Sequence, residues 1–213
     1  RHRHKMAQAK IRGFLDHPST TLRRYPSKNT DMPSRYARAI ALHRQGQLDK
    51  ALREIDALIA LTPNSPWFHE LKGQVNYEAG SAANGLVAYK KSVELAPDQP
   101  LLLIGLATTQ LSIAETDGEM SQKFNLAAEK NLRKALRLDP ANATAYFQLS
   151  KAFGQMQRLA YAEWALAEYF ALLGRPESLK HARRALKGLP EGSPEKIRAL
   201  DILEIARAGS AGR

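Results

Sequence analysis

The stretch His69-Glu70-Leu71-Lys72-Gly73 opens like a metal-binding helix. In H-E-x-x-H, two histidines one helical turn apart hold zinc and the glutamate activates a water. Here the second histidine position is Gly73, so His69 and Glu70 stand without a third ligand. Catalytic zinc takes three protein ligands and structural zinc four. The stretch therefore reads as part of a helix in which Gly73 serves a close helix crossing. His2 and His4 alternate with Arg1 and Arg3. Positions i and i+2 do not share a helical face, and flanking cations oppose metal binding, so both are expected to be solvated. His17, His43 and His181 have no partners at ligand spacing.

The remaining chemistry is equally sparse. The 213 residues include no Cys, which removes disulfides, thiolate metal sites and a Cys nucleophile. There is no G-x-S-x-G and no Gly-rich phosphate loop. Glu54 and Asp56 are expected on the outer face of their helix. The expectation is a non-catalytic chain with no cofactor of its own.

Charge is concentrated at one end. The net charge is +11, and residues 1–44 carry eleven Lys and Arg against Asp16 and Asp31, leaving only a slight excess in the rest. Such a patch suits an acidic protein surface, an anionic surface or phosphate. Arg3, Lys5, Lys10, Arg12, Arg23 and Arg24 are its candidate residues, with Phe14 and Tyr25 interleaved. No element that reads bases is evident, which argues against nucleic acid. Ala7, Ile11, Phe14 and Leu15 form a helical stripe, expected to dock the first helix as a connector to an upstream domain. Lys10 and Arg12 interrupt any continuous apolar run, so a signal peptide would have to lie upstream of Arg1. The longest apolar run, 101–107, is too short to cross a bilayer.

What must position these residues is a repeat. Gly46 to Gly80 and Pro63 to Pro97 are both 34 residues, and "AAEKNLRKALRLDP" at 127–140 repeats the second half of the unit. Pro140 lies 43 after Pro97; the nine extra residues are expected in a longer loop at 115–124, with a turn at Asp117-Gly118. Period and pattern resemble the tetratricopeptide repeat, a pair of antiparallel helices with small residues at the crossing and Pro at the end. The units are 32–65, 66–99, 100–142 and 143–174. Their second helices carry the stripes Ala51, Ile55, Leu58; Gly85, Tyr89, Ser92; Ala128, Leu132, Ala135; and Ala162, Leu166, Tyr169. One pair cannot bury its own face, so neighbours must stack.

The fold class is all-α, a tetratricopeptide-like solenoid, expected as a right-handed superhelix. Residues 1–31 form a basic connector helix and linker, 175–208 a terminal helix pair acting as cap, and 209–213 a frayed tail. Ser65, Asn142 and Ser193 are expected helix caps. Residues 175–190 are expected as one helix and 193–208 as another, with Ile197, Leu200 and Leu203 facing inward and Glu195, Lys196, Arg198, Asp201 and Glu204 outward. First helices of such pairs line a concave groove. That face would show Tyr36, Ile40, His43, Arg44, Trp67, Glu70, Gln74 and Tyr77, then Ile104, Thr108, Leu111, Phe147, Lys151 and Gln155. Its aromatic and polar mix suits a protein or peptide segment.

Flanking stretches carry a narrower resemblance. "AKIRGFL" (9–15), "LRRYP" (22–26), "SRYARAIA" (34–41), "FHELKGQ" (68–74) and "LPEGSP" (189–194) resemble the C-terminal part of BepA-like periplasmic zinc metalloproteases. The resemblance implies a periplasmic repeat domain joined to an upstream H-E-x-x-H peptidase domain. Zinc and catalytic residues would belong to that domain, not to this chain. It further implies a role in outer-membrane protein quality control, with assembly proteins or misassembled clients as partners. Two other readings stay open: a free-standing adaptor, and a nucleic-acid or anionic-surface binder using the basic end.

Overall fold

The computed structural model describes the backbone of residues 2–211 and the side chains of residues 4–205. Among the described residues there are twelve α-helices and no strand. Two helices come first, α1 (His2–Leu15) and α2 (Pro18–Arg24). Four antiparallel pairs follow: α3 (Met32–Arg44) with α4 (Leu48–Leu61), α5 (Pro66–Glu78) with α6 (Ala82–Leu95), α7 (Pro100–Thr116) with α8 (Ser121–Leu138), and α9 (Ala143–Gln155) with α10 (Leu159–Leu172). The chain ends in α11 (Glu177–Ala185) and α12 (Pro194–Ala211); residues 212–213, the end of the expected tail, lie outside the described residues. The helices fall into two compact units, Arg1–Pro97 and Asp98–Arg213.

The stripes of repeats 1 to 3 are core, whereas the expected repeat-4 stripe of Ala162, Leu166 and Tyr169 is only half-buried, α10 burying Trp164, Ala165 and Ala167 instead. Ala51, Ile55, Leu58, Ser92, Ala128, Leu132 and Ala135 are fully buried and Tyr89 nearly so. Ser92 satisfies its hydroxyl by donating to the Pro66 carbonyl at 2.8 Å. Gly73 is where α5 and α6 cross: a Cβ there would lie 2.6 Å from the Tyr89 ring, and one at Gly85 would lie 3.1 Å from the Gly73 carbonyl. In unit 1, Tyr36, Ala39 and Ile40 of α3, Ile55 and Leu58 of α4, and Phe68, Leu71 and Val75 of α5 make one cluster.

Turn chemistry punctuates the pairs. Gly46 and Gly80 adopt φ of 73° and 78° just past α3 and α5. The residues after them donate back to the Leu42 and Asn76 carbonyls at 2.9 Å, closing each helix end. The same turn after α9 places Gln157 at φ 59°. Asn142 and Ser193 cap as expected, accepting from the Ala145 and Lys196 N–H groups at 3.0 and 3.2 Å. Ser65 precedes α5 without a side-chain cap bond. Asp31 caps α3 instead, accepting from the Ser34 N–H at 3.1 Å and its hydroxyl at 2.7 Å.

Four further expectations are corrected. The nine extra residues of repeat 3 do not make a long loop. They lengthen α7 to 17 and α8 to 18 residues, against 13 and 14 in repeat 1, leaving a four-residue turn at 117–120. Extra helix turns satisfy their own backbone groups, which a loop of that length does not. Residues 175–190 are not one helix: α11 stops at Ala185, its end tightens to Lys187 N–H→Arg184 carbonyl bonding, and Leu189 turns inward to 4% exposure. On α12 the expected inward residues Ile197 and Leu200 are exposed, whereas Ala199 and Ile202 are buried. Ion pairs reinforce this orientation: Arg198 binds the buried Glu168 of α10 through two bonds of 3.0 and 3.1 Å, and Glu195 pairs with Arg133 at 3.1 Å. Finally, Glu54 does not face outward. It pairs with Arg35 and Arg38 of α3 at 2.9 Å each.

Candidate protein-binding surfaces

The N-terminal helix lies on α3, and it does so by its small side. Ala9 and Gly13 are buried, Met6 packs on the unit-1 core, and a Cβ at Gly13 would stand 3.0 Å from Ile40. The expected stripe points the other way: Ala7, Ile11, Phe14 and Leu15 are exposed. Two helix axes can come close only where small residues face each other, so here the large apolar side chains are the ones left outside.

Two of the expected groove residues, Arg44 and Trp67, contact this helix. Arg44 donates from Nη1 to the Gly13 carbonyl at 2.8 Å and to the Asp16 carbonyl at 2.6 Å, satisfying acceptors at the end of α1. The Lys10 ammonium stands 5.8 Å from the Trp67 ring centroid. Burial pushes the Glu70 carboxyl above the usual carboxylate range, and the positive charge of Lys10 partly offsets that rise. Tyr36 and Ile40 are buried beneath, Tyr36 meeting Phe68 edge-on at 5.6 Å. Burial, with the Glu70 charge adding, raises the Tyr36 hydroxyl well above its ordinary value. His43 lies 3.2 Å from Glu78, which also accepts from Gln74 at 2.8 Å. Tyr77 is half-buried against Gly85. Of the unit-1 positions, Arg44 and Trp67 thus meet α1, whereas His43 and Gln74 turn to Glu78 and Tyr77 packs by Gly85.

In unit 2, Ile104 and Leu111 are buried packing residues and Thr108 is half-buried. Phe147 is exposed and tilts against Tyr169 at 5.3 Å; Lys151 is exposed; Gln155 sits at the end of α9 with its Oε1 buried.

Of the basic candidates, Arg3 lies outside the described side chains. Lys5 is exposed, Arg12 is half-buried, Arg23 reaches Thr20 at 3.4 Å and Arg24 reaches Asp16 at 3.6 Å. The most connected cation was not among them. Arg38, 4% exposed, binds both Glu54 oxygens and donates to the Pro26 and Asn29 carbonyls at 2.8 Å, holding the linker after α2 on α3. Its place among Ala37, Ala39 and Ile40 was the available signal.

His69 donates from Nε2 to the Pro63 carbonyl, 2.8 Å away, and no described group of three or more His, Asp or Glu could hold a metal ion. The described residues do not assemble a zinc centre. No described helix is long and apolar enough to cross a membrane.

Comparison places the geometry among known folds. The tetratricopeptide repeat model matches residues 33–75, spanning α3, α4 and most of α5. No curated protein sequence matches the chain significantly. Among solved structures, MamA is similar at TM-score 0.58 and 20% identity, over 80% of this chain and 96% of that one. MamA from Desulfovibrio magneticus RS-1 gives 0.57 and 16%, over 91% and 97%. TTC0263, a tetratricopeptide-repeat protein of Thermus thermophilus, gives 0.51 and 18%, over 87% and 98%. The chain carries a tetratricopeptide repeat domain in an all-α, solenoid-type fold, and that fold implies protein or peptide partners.

Proposed function

We propose that the chain is a non-catalytic protein-binding module whose first unit receives a helical segment on α3 and α5. The observation that carries this reading is the pair of Arg44 bonds to the end of α1. They cap carbonyls, which every helix end presents, so the seat reads helical backbone rather than a particular side chain. Among the described side chains of α1, only Ala9 and Gly13 are buried there. Little apolar area holds α1, so a partner helix with larger inward side chains can compete for its place. The test is a trans experiment: a chain shortened to start at His17, titrated with a peptide of residues 2–15, with anisotropy as readout. Saturable 1:1 binding supports the seat; no binding by a folded shortened chain removes it.

We further propose that the module belongs to a BepA-like periplasmic zinc metalloprotease acting in outer-membrane protein quality control. The support is the resemblance of residues 9–15, 22–26, 34–41, 68–74 and 189–194 to that family. Zinc and peptide hydrolysis would then reside in an upstream domain, with this chain docking on it and recruiting assembly proteins or clients. A coding sequence with a signal peptide followed by H-E-x-x-H supports this reading. A start codon directly before Arg1 overturns it, as does zinc-dependent peptide hydrolysis by this chain alone. A free-standing adaptor is the second reading. It is favoured by the near-complete coverage of the MamA and TTC0263 chains, 96% and 98%, by a repeat array of this kind.

A further inference from the structure

The lengthened helices of repeat 3 border a cleft in unit 2. The α7–α8 turn and the first turn of α8 face the α9–α10 turn across a cleft of about 450 Å³. Its lining is amide-rich, with Ser121, Gln122, Asn125, Gln155 and Gln157 beside the exposed Leu126 and the one cation Arg158, which is held by Glu129 at 2.7 Å. Asn125 is 1% exposed, yet its Oδ1 has no partner in the protein; Nδ2 reaches only Ser121 Oγ, at 3.3 Å. Turning the amide over exchanges the unpaired atom but does not pair it. Gln155 Oε1 is buried and unpaired in the same cleft.

Buried amide atoms without partners are expensive, and folded proteins keep few of them. Two unpaired amide oxygens lining one cleft call for a ligand that offers hydrogen-bond donors side by side. The backbone at the cleft is itself unrelaxed. Gln157 holds a left-handed φ of 59° where the matching turns use Gly46 and Gly80, and such outliers gather at binding sites.

We propose that this cleft binds an extended protein segment through its main-chain amides, with Asn125 Oδ1 and Gln155 Oε1 accepting from its N–H groups. An extended segment supplies one such donor per residue, and the exposed Leu126 gives a neighbouring side chain an apolar contact. The ligand class rests on the protein-binding reading of the chain, but the site is independent of the helix seat in unit 1. Each can therefore fail without the other.

The test is an NMR titration of the ¹⁵N-labelled full chain with a pool of capped hexapeptides of Ala, Leu and Ser, beside the same pool fully N-methylated, and maltoheptaose. The expected result is saturable shifts of the Asn125 and Gln155 side-chain amides and of residues 118–126 and 155–158 with the unmethylated pool alone. Asn125→Leu and Gln155→Leu should each weaken that binding at least tenfold while leaving the urea midpoint unchanged or higher. The proposal is overturned by no shift with the peptides, by equal shifts with the methylated pool, or by shifts with maltoheptaose alone. It is equally overturned if both variants bind normally, or if both lower the urea midpoint, the mark of a purely structural role.

Discussion

Arg44 Nη1 donates to the carbonyl of Gly13 at 2.8 Å, tying a residue of the repeat face to the last turn of the N-terminal helix. Gly13 also packs directly on α3, its Cβ position 3.0 Å from Ile40. One glycine thus supplies both the carbonyl and the clearance that the seat requires.

Replacing Gly13 should therefore unseat α1. Gly13→Leu introduces a side chain where Ile40 already stands, an overpacking worth about 1–3 kcal/mol. Amide exchange in residues 6–15 is expected to rise toward that of a free peptide while the helices of unit 2 keep their protection. Unchanged protection in α1 would show that its docking does not depend on this contact.

Two glycines on first helices of repeats should respond in opposite directions. Gly73→Ala places a methyl 2.6 Å from the buried Tyr89 ring, and is expected to destabilise by about 1–3 kcal/mol. At Gly154 nothing lies within 4 Å, so Gly154→Ala is expected to stabilise by roughly 0.5–1 kcal/mol through helix propensity. Urea unfolding of the two variants checks the pair.

The Arg38–Glu54 pair is the buried ionic hub of unit 1, with side chains 4% and 17% exposed. Glu54→Ala leaves Arg38 buried without its carboxylate, which is expected to cost about 3–5 kcal/mol. Arg38→Met removes the charge as well and should cost less, though it frees the linker at Pro26 and Asn29. Thermal unfolding gives the order, and proteolysis within residues 25–31 reports the linker.

Glu70 should make stability depend on pH. Burial raises its carboxyl pKa, with Lys10 opposing, so the folded state holds the proton more tightly than the unfolded chain. Its contribution is complete below the unfolded value of about 4.3 and is lost as pH rises through the raised folded value. Unfolding free energy measured against pH should fall for the wild type relative to Glu70→Gln across that window, and the two curves should run parallel above it.

Much of this was legible in the sequence, for a physical reason. The 34-residue spacing of Gly46 and Gly80, the stripe Ala51–Ile55–Leu58 and the cap Asn142 are local signals, and the structure keeps them. The two outermost helices were misread together. Apolar periodicity assumes that the largest side chains point inward, which put Ile11, Phe14 and Leu15, and likewise Ile197 and Leu200, inside. Close packing instead selects Ala9 with Gly13, and Ala199 with Ile202. On α12 the choice is reinforced by Arg198 reaching the buried Glu168, a partner 30 residues away that no local pattern reveals. The groove residues were assigned by repeat position. That places Arg44, Trp67 and Glu70 on one face but cannot show that the chain's own first helix lies there. The cleft at Asn125 was hidden because the extra residues of repeat 3 read as loop rather than as longer helices.

The most direct measurement is the binding of the residue 2–15 peptide to the chain beginning at His17. The account predicts saturable 1:1 binding, weakened at least tenfold by Gly13→Leu in the peptide and by Trp67→Ala in the chain. A shortened chain that stays helical by circular dichroism and binds no peptide would contradict it.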